Sequence, residues 1–144
     1  MPLKRPPSEP NSECLHEISR LYKRLQRRRT ESLYALLYDD YDQFIGCEEV
    51  SKGGSCWVNG FPETVYGLAK KRGSSSIILV HNHPSGNPDP GFQDLVACGS
   101  PEKDSEAYGI ELADCVIIGR DGYYSFRHGR KDYPYKTAKK DNDY

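Results

Sequence analysis

The segment that most constrains this chain begins at Ser76. Ile77, Ile78, Leu79 and Val80 form an unbroken apolar run with the length and composition of a strand buried on both faces. The run passes without a spacer into HNHPSGNPDPGFQD, from His81 to Asp94. On an extended backbone, residues i and i+2 point to the same side, so His81 and His83 can both face a single ion. Pro84, Pro88 and Pro90 stiffen the following loop by fixing φ, while Gly86 and Gly91 let it turn tightly. Asp94 is separated from His83 by ten residues. It stands at the expected start of a helix, from which it can swing back as a third ligand. Two neutral imidazoles and one carboxylate around a tetrahedral Zn²⁺ leave a fourth position for water, which is the catalytic kind of zinc site. A structural site would close that position with protein.

The rest of the chain predicts a layered surround for this loop. A capped helix is expected from Asn11 or Ser12 to about Arg29, with Leu15, Ile18, Leu21, Tyr22 and Leu25 at helical spacing. Strands are expected over Leu33–Tyr38, Gln43–Val50 and, briefly, Cys56–Val58. A helix follows from Phe61 to about Arg72, stopped by Gly73. Phe92 to Tyr108 reads as a helix broken near GSPEKD, Ile110 to Gly119 contains a strand, and YYSFRH makes a terminal hairpin. Strands and helices alternate, which points to an α/β or α+β domain. The expected boundaries are a flexible arm over residues 1–11, one domain over 12–128, and a polar tail over 129–144.

Composition narrows the function classes. The chain has 144 residues, enough for one domain. No apolar run approaches the roughly 20 residues that span a bilayer, so no membrane partner is expected. No apolar stretch lies near the N-terminus, so no secretory leader is expected and the cytoplasm is the expected compartment. Five cysteines occur without a CxxC pair, which leaves zinc-ribbon and thioredoxin-like readings without support; reduced, mostly buried thiols are expected. The net charge of −1 hides an asymmetry: residues 1–30 hold eight Lys/Arg against three Glu, and residues 31–127 seven against fifteen Asp/Glu. Arg20, Lys23, Arg24, Arg27 and Arg28 share the polar face of the first helix. They are candidates for contacting nucleic acid, or an ordinary solvated helix face.

The region from Ile77 to Asp94 resembles the JAMM metalloenzyme motif, and more closely its RadC-like branch. IILVHNHPSGNPDP, GIELADCVIIG and GYYSF match that branch in order and spacing across most of residues 31–127. The resemblance implies a single three-layer α/β domain of the JAB/MPN, cytidine-deaminase-like kind, with a mixed sheet flanked by helices. It also implies a zinc hydrolase of the metallopeptidase or isopeptidase type, with one Zn²⁺ per chain held by His81, His83 and Asp94. Longer members carry a helix-hairpin-helix region ahead of this domain, and 144 residues leave no room for it, so a short form is expected. The motif expects an upstream glutamate as general base. Glu31 stands there, before Ser32-Leu33-Tyr34, and Glu63 is the competing candidate, at a helix start that favours a glutamate through the dipole alone.

Two departures from the family pattern stand out. The usual serine three residues before the metal-binding aspartate is Gly91 here. That serine helps stabilise the developing oxyanion, and losing one such donor costs about 10²–10³ in rate; Ser85 is another hydroxyl in the loop. The histidine expected after Asp114 is Cys115, and Asp114 itself is expected to support the site or the strand end. Three readings follow: a zinc hydrolase acting on peptide or isopeptide bonds, a DNA-associated protein using the basic helix, which the RadC resemblance alone links to repair, and a metal-holding pseudoenzyme. Base deamination is rejected, because zinc deaminases need a CxxC.

Overall fold

The computed structural model describes residues 12–52, 61–99 and 102–132. Two of the three strands buried along their whole length among the described residues set its frame: β1 (Ser32–Tyr38) and β3 (Ser76–Asn82). Around them stand α1 (Ser12–Leu25), β2 (Phe44–Lys52), α2 (Phe61–Lys71), α3 (Phe92–Cys98), α4 (Glu102–Tyr108), β4 (Glu111–Ile118), β5 (Gly122–Ser125) and β6 (Gly129–Asp132). The strands form one mixed sheet in the order β2-β1-β3-β4-β5-β6. Among the described strands only β3 and β4 run parallel, and α3 and α4 lie in the crossover between them. The α/β class and the mixed sheet flanked by helices are those expected of a JAB/MPN domain.

Alternation along the central strands supplies a core to each face. Ile78 and Val80 join Tyr34, Leu36, Val116 and Ile118 beneath Ile18, Leu21, Tyr22 and Leu25 of α1. Ile77 and Leu79 join Leu33, Ala35, Leu37 and Cys115 beneath Val65, Tyr66 and Ala69 of α2 and Cys98 of α3. The helical spacing of Ile18, Leu21, Tyr22 and Leu25 is thus a packing stripe.

Several boundaries move. The first helix ends at Leu25 rather than near Arg29, because the Asn82 side chain takes hold of the chain at Arg28 and Thr30. β3 runs on to Asn82, so His81 lies inside the strand. The sheet continues past residue 128: β6 pairs antiparallel with β5, so residues 129–132 belong to the domain and not to a tail. That edge strand is polar and lacks the apolar pattern that would mark it in sequence. The short strand expected over Cys56–Val58, the arm over 1–11 and residues 133–144 lie outside the described residues. Among the described residues, no helix is long and apolar enough to cross a membrane.

Candidate metal centre

The C-terminal end of β3 separates two tasks by face. Ile77 and Leu79 point toward α2–α4, so by alternation His81 does too, while Asn82 points to the opposite side. His81 is fully buried, with its Nε2 2.9 Å from Oδ1 of Asp94. His83 lies one residue past the strand, with its Nε2 3.0 Å from Oδ2 of the same carboxylate. Asp94 is the third residue of α3 and is itself buried; its Oδ2 accepts the backbone N–H of Gly91 at 2.8 Å, which aims the carboxylate back toward the strand.

The second contribution comes from fifty residues earlier, through sheet register. β1 pairs antiparallel with β3, Leu33 opposite His81. Stepping back along β1 sets Glu31 level with His83. Ligand atoms of Glu31, His81 and His83 all lie within 4.8 Å of one another. Asn82 holds this register from the other face. Its Oδ1 accepts Ser32 N–H at 2.8 Å, and its Nδ2 donates to the carbonyl of Thr30 at 3.0 Å. The two residues flanking Glu31 are therefore clamped by the residue between the two histidines. Nothing in the local sequence marks Asn82 for this role, because its function depends on a partner fifty residues away.

The donor set fits a divalent zinc ion. Its atoms are nitrogen and carboxylate oxygen, as zinc prefers, and donors on a tetrahedral zinc lie about 3.3 Å apart. The spacings of 2.9 and 3.0 Å are those of direct hydrogen bonds, and a shift of a few tenths of an ångström converts one arrangement to the other. Nδ1 of His83 lies 2.9 Å from the carbonyl of Asn87. A carbonyl only accepts, so Nδ1 carries the proton and Nε2 is the ligand atom. The hydrogen bond to Asp94, foremost, raises the His83 pKa against the opposing effect of burial. A metal at Nε2 would displace the proton shared there with Asp94 and leave the one on Nδ1, so binding is coupled to deprotonation.

The remaining candidates fall into place around these four. Gly91 caps α3 with φ −90° and ψ −178°, and its N–H is engaged by Asp94, so it is not aimed at a substrate oxyanion. The exposed Ser85 accepts Asn87 N–H at 3.2 Å and shapes the loop. Glu63 is exposed in the first turn of α2 and does not join Glu31 and the histidines, which agrees with a residue favoured by the helix dipole. Asp114 is buried at the β5–β6 turn: it accepts Ser125 Oγ–H and the N–H groups of Cys115 and Arg127. It lies opposite Ile78, three rungs from His81 along β3, and organises the turn. Of the basic residues, Arg20 donates to Glu17 and Arg28 to Ser32, while Arg20, Lys23, Arg24 and Arg27 are exposed.

The loop needs one residue that only the fold explains. The carbonyl of Gly86 accepts Arg120 N–H at 2.8 Å, and the carbonyl of Ile118 accepts His83 N–H at 3.0 Å. This seats the loop directly on Gly119, where a Cβ would come within 2.7 Å of Pro88 Cδ.

Comparison with known proteins agrees with this geometry. The family described as the RadC-like JAB domain matches residues 12–131. Relatives named UPF0758 protein from Chlorobium phaeovibrioides and Finegoldia magna are each 37% identical, over 70% and 69% of this chain and 45% and 44% of their own lengths. Another, from Alkaliphilus metalliredigens, is 35% identical over 74% of this chain and 46% of its own length. The chain thus spans less than half the length of these curated relatives. From Ser12 through the β5–β6 hairpin, and through the histidine loop at its centre, the chain belongs to the RadC-like JAB domain family.

Proposed function

We propose that this protein is a zinc-dependent hydrolase of the JAMM type, acting on a peptide or isopeptide bond. The observation that carries the reading is the convergence of Glu31, His81 and His83 within 4.8 Å, with Asp94 bridging both imidazoles. In this reading His81, His83 and Asp94 hold the metal. When bound, Zn²⁺ supplies Lewis acidity toward a carbonyl and lowers the pKa of water to about 7. Glu31 takes a proton from the attacking water and delivers it to the leaving amine. The Asn82 clamp keeps Glu31 at the right height beside His83. His83 stays oriented through Asn87, and Asp94 through the Gly91 amide. The outer side of α3 exposes Phe92, Leu95 and Val96 beside Asp94, an apolar surface suited to a polypeptide chain.

The test pairs metal analysis with a peptidase screen. Protein purified without chelator should hold one zinc per chain and cleave members of a peptide library. Glu31→Gln should keep its zinc and lose about 10²–10⁴ of the rate. Wild-type protein without zinc, or a Glu31→Gln variant of undiminished rate, would sink the assignment. Gly91 favours one second reading, a relative that holds metal without turnover. A zinc-loaded protein that cleaves no peptide even with serine restored at position 91 would establish it.

A further inference from the structure

On the face of the sheet that carries His81, two thiols meet. Cys98 ends α3, and Cys115 lies in β4 opposite Leu79 of β3. Their Sγ atoms are 2.7 Å apart, and both side chains are buried. Both are free thiols. Asp94 and Cys98 are the two buried residues of the seven-residue α3, one helical turn apart on one side. The helix is thus held to the body by a metal-ligand candidate and a cysteine, while Phe92, Leu95 and Val96 face solvent. A short helix with so little buried apolar surface opens locally more readily than the strands beneath it.

We propose that Cys98 and Cys115 form a reversible disulfide that clamps the Asp94-bearing helix onto β4. The oxidant is a small peroxide such as hydrogen peroxide. When α3 opens, the Cys98 thiolate attacks one peroxide oxygen and the O–O bond breaks, leaving a sulfenic acid and one water. The Cys115 sulfur then attacks the Cys98 sulfur, an S–S bond forms, and a second water leaves with the sulfenic oxygen. Two thiols and one peroxide thus become one disulfide and two waters. A thiol reductant reverses the bond by exchange. In the closed state both sulfurs are buried and out of reach of a peroxide, so oxidation waits on helix opening. The pair closes a loop that contains all of α4, and the cross-link shortens the excursions open to α3.

The experiment uses the full chain after treatment with a chelator, so it does not depend on whether the protein binds zinc. Wild-type protein is treated with hydrogen peroxide or with a phosphine reductant, alkylated, and digested with trypsin. Cleavage after Arg72, Lys103 and Arg120 puts Cys98 and Cys115 on separate peptides. Oxidation should join residues 73–103 to residues 104–120, and the reductant should separate them. Amide hydrogen exchange across Phe92–Cys98 should slow by roughly an order of magnitude in the oxidised form. Cys98→Ala should show neither response, and the wild-type comparison stands alone if that variant does not fold. Separate alkylated peptides after oxidation overturn the disulfide. A joined peptide with unchanged exchange over α3 overturns the clamp.

Discussion

In the proposed hydrolase, the residue at position 91 tests the link between metal binding and turnover. Gly91 adopts backbone angles open to any residue, and the nearest atom to a Cβ built there is Asp94 Oδ2 at 3.6 Å. The position is also a helix N-cap, where serine is favoured. Gly91→Ser should fold with a urea midpoint equal to or slightly above wild type and keep its zinc. Its amide hydrolysis should rise by about 10²–10³, read as kcat/KM on a peptide cleaved by wild type. Asp114 carries a second residue-scale prediction. Burial, foremost, pushes its carboxyl above the ordinary range, although Ser125 and two backbone N–H groups pull the other way. The folded state therefore holds the proton more tightly than the unfolded chain. The contribution of Asp114 to stability is complete below its ordinary pKa of about 3.8 and is lost as pH rises through the higher folded value. Asp114→Asn keeps the acceptor for Cys115 and Arg127 and cannot ionise. Urea unfolding should show the variant gaining on wild type as pH rises through that window, and parallel curves would refute the assignment.

Among the elements, the histidine loop and the end of β4 act as one unit. Gly119 is the contact point, and its requirement is steric. A methyl group there meets Gly86 and Pro88 backbone atoms that cannot rotate away. Gly119→Ala should cost about 1–3 kcal/mol in urea unfolding of the metal-free protein. It should also weaken zinc binding in a competition with a chromogenic chelator, because Asn87, the partner of His83, belongs to the displaced loop. An unchanged midpoint would mean the loop is not seated on β4. The crossover from β3 to β4 is what makes this seat, since it brings the C-terminal ends of two parallel strands side by side at the site.

Across the whole molecule, the candidate ligands come from the end of β3 and the start of α3, and the candidate base from the entry to β1. An ion held by His81, His83 and Asp94 ties together segments that separate on unfolding, so it binds the native chain alone. Chelation should lower the melting temperature and added zinc restore it, the gain reaching about 2.7 kcal/mol at free zinc one hundred times Kd. Equal melting curves with and without zinc would argue against a site spanning these segments. The basic face of α1 enters the same scale differently: Arg20 and Arg28 are tied to neighbours within the domain, which reduces the free positive surface.

What the sequence determined by itself was local. Ile77–Val80 reads as a buried strand, because a short, β-branched apolar run ahead of a Pro- and Gly-rich loop needs cover on both faces. The HxH pair then had to share one side, because strand periodicity is two. The spacing to Asp94 was legible for the same reason, since the loop is stiffened by its own prolines. Glu31 was legible only through the family motif, and its place beside His83 was decided by the β1–β3 register. Asn82, Gly119 and the Cys98–Cys115 pair were decided by tertiary structure alone. Each works through a partner distant in the chain, and periodicity carries no information about contacts between segments that meet only when the sheet closes. The end of α1 and the presence of β6 were settled in the same way, by hydrogen bonds from Asn82 and from β5, and not by any preference within the segments themselves.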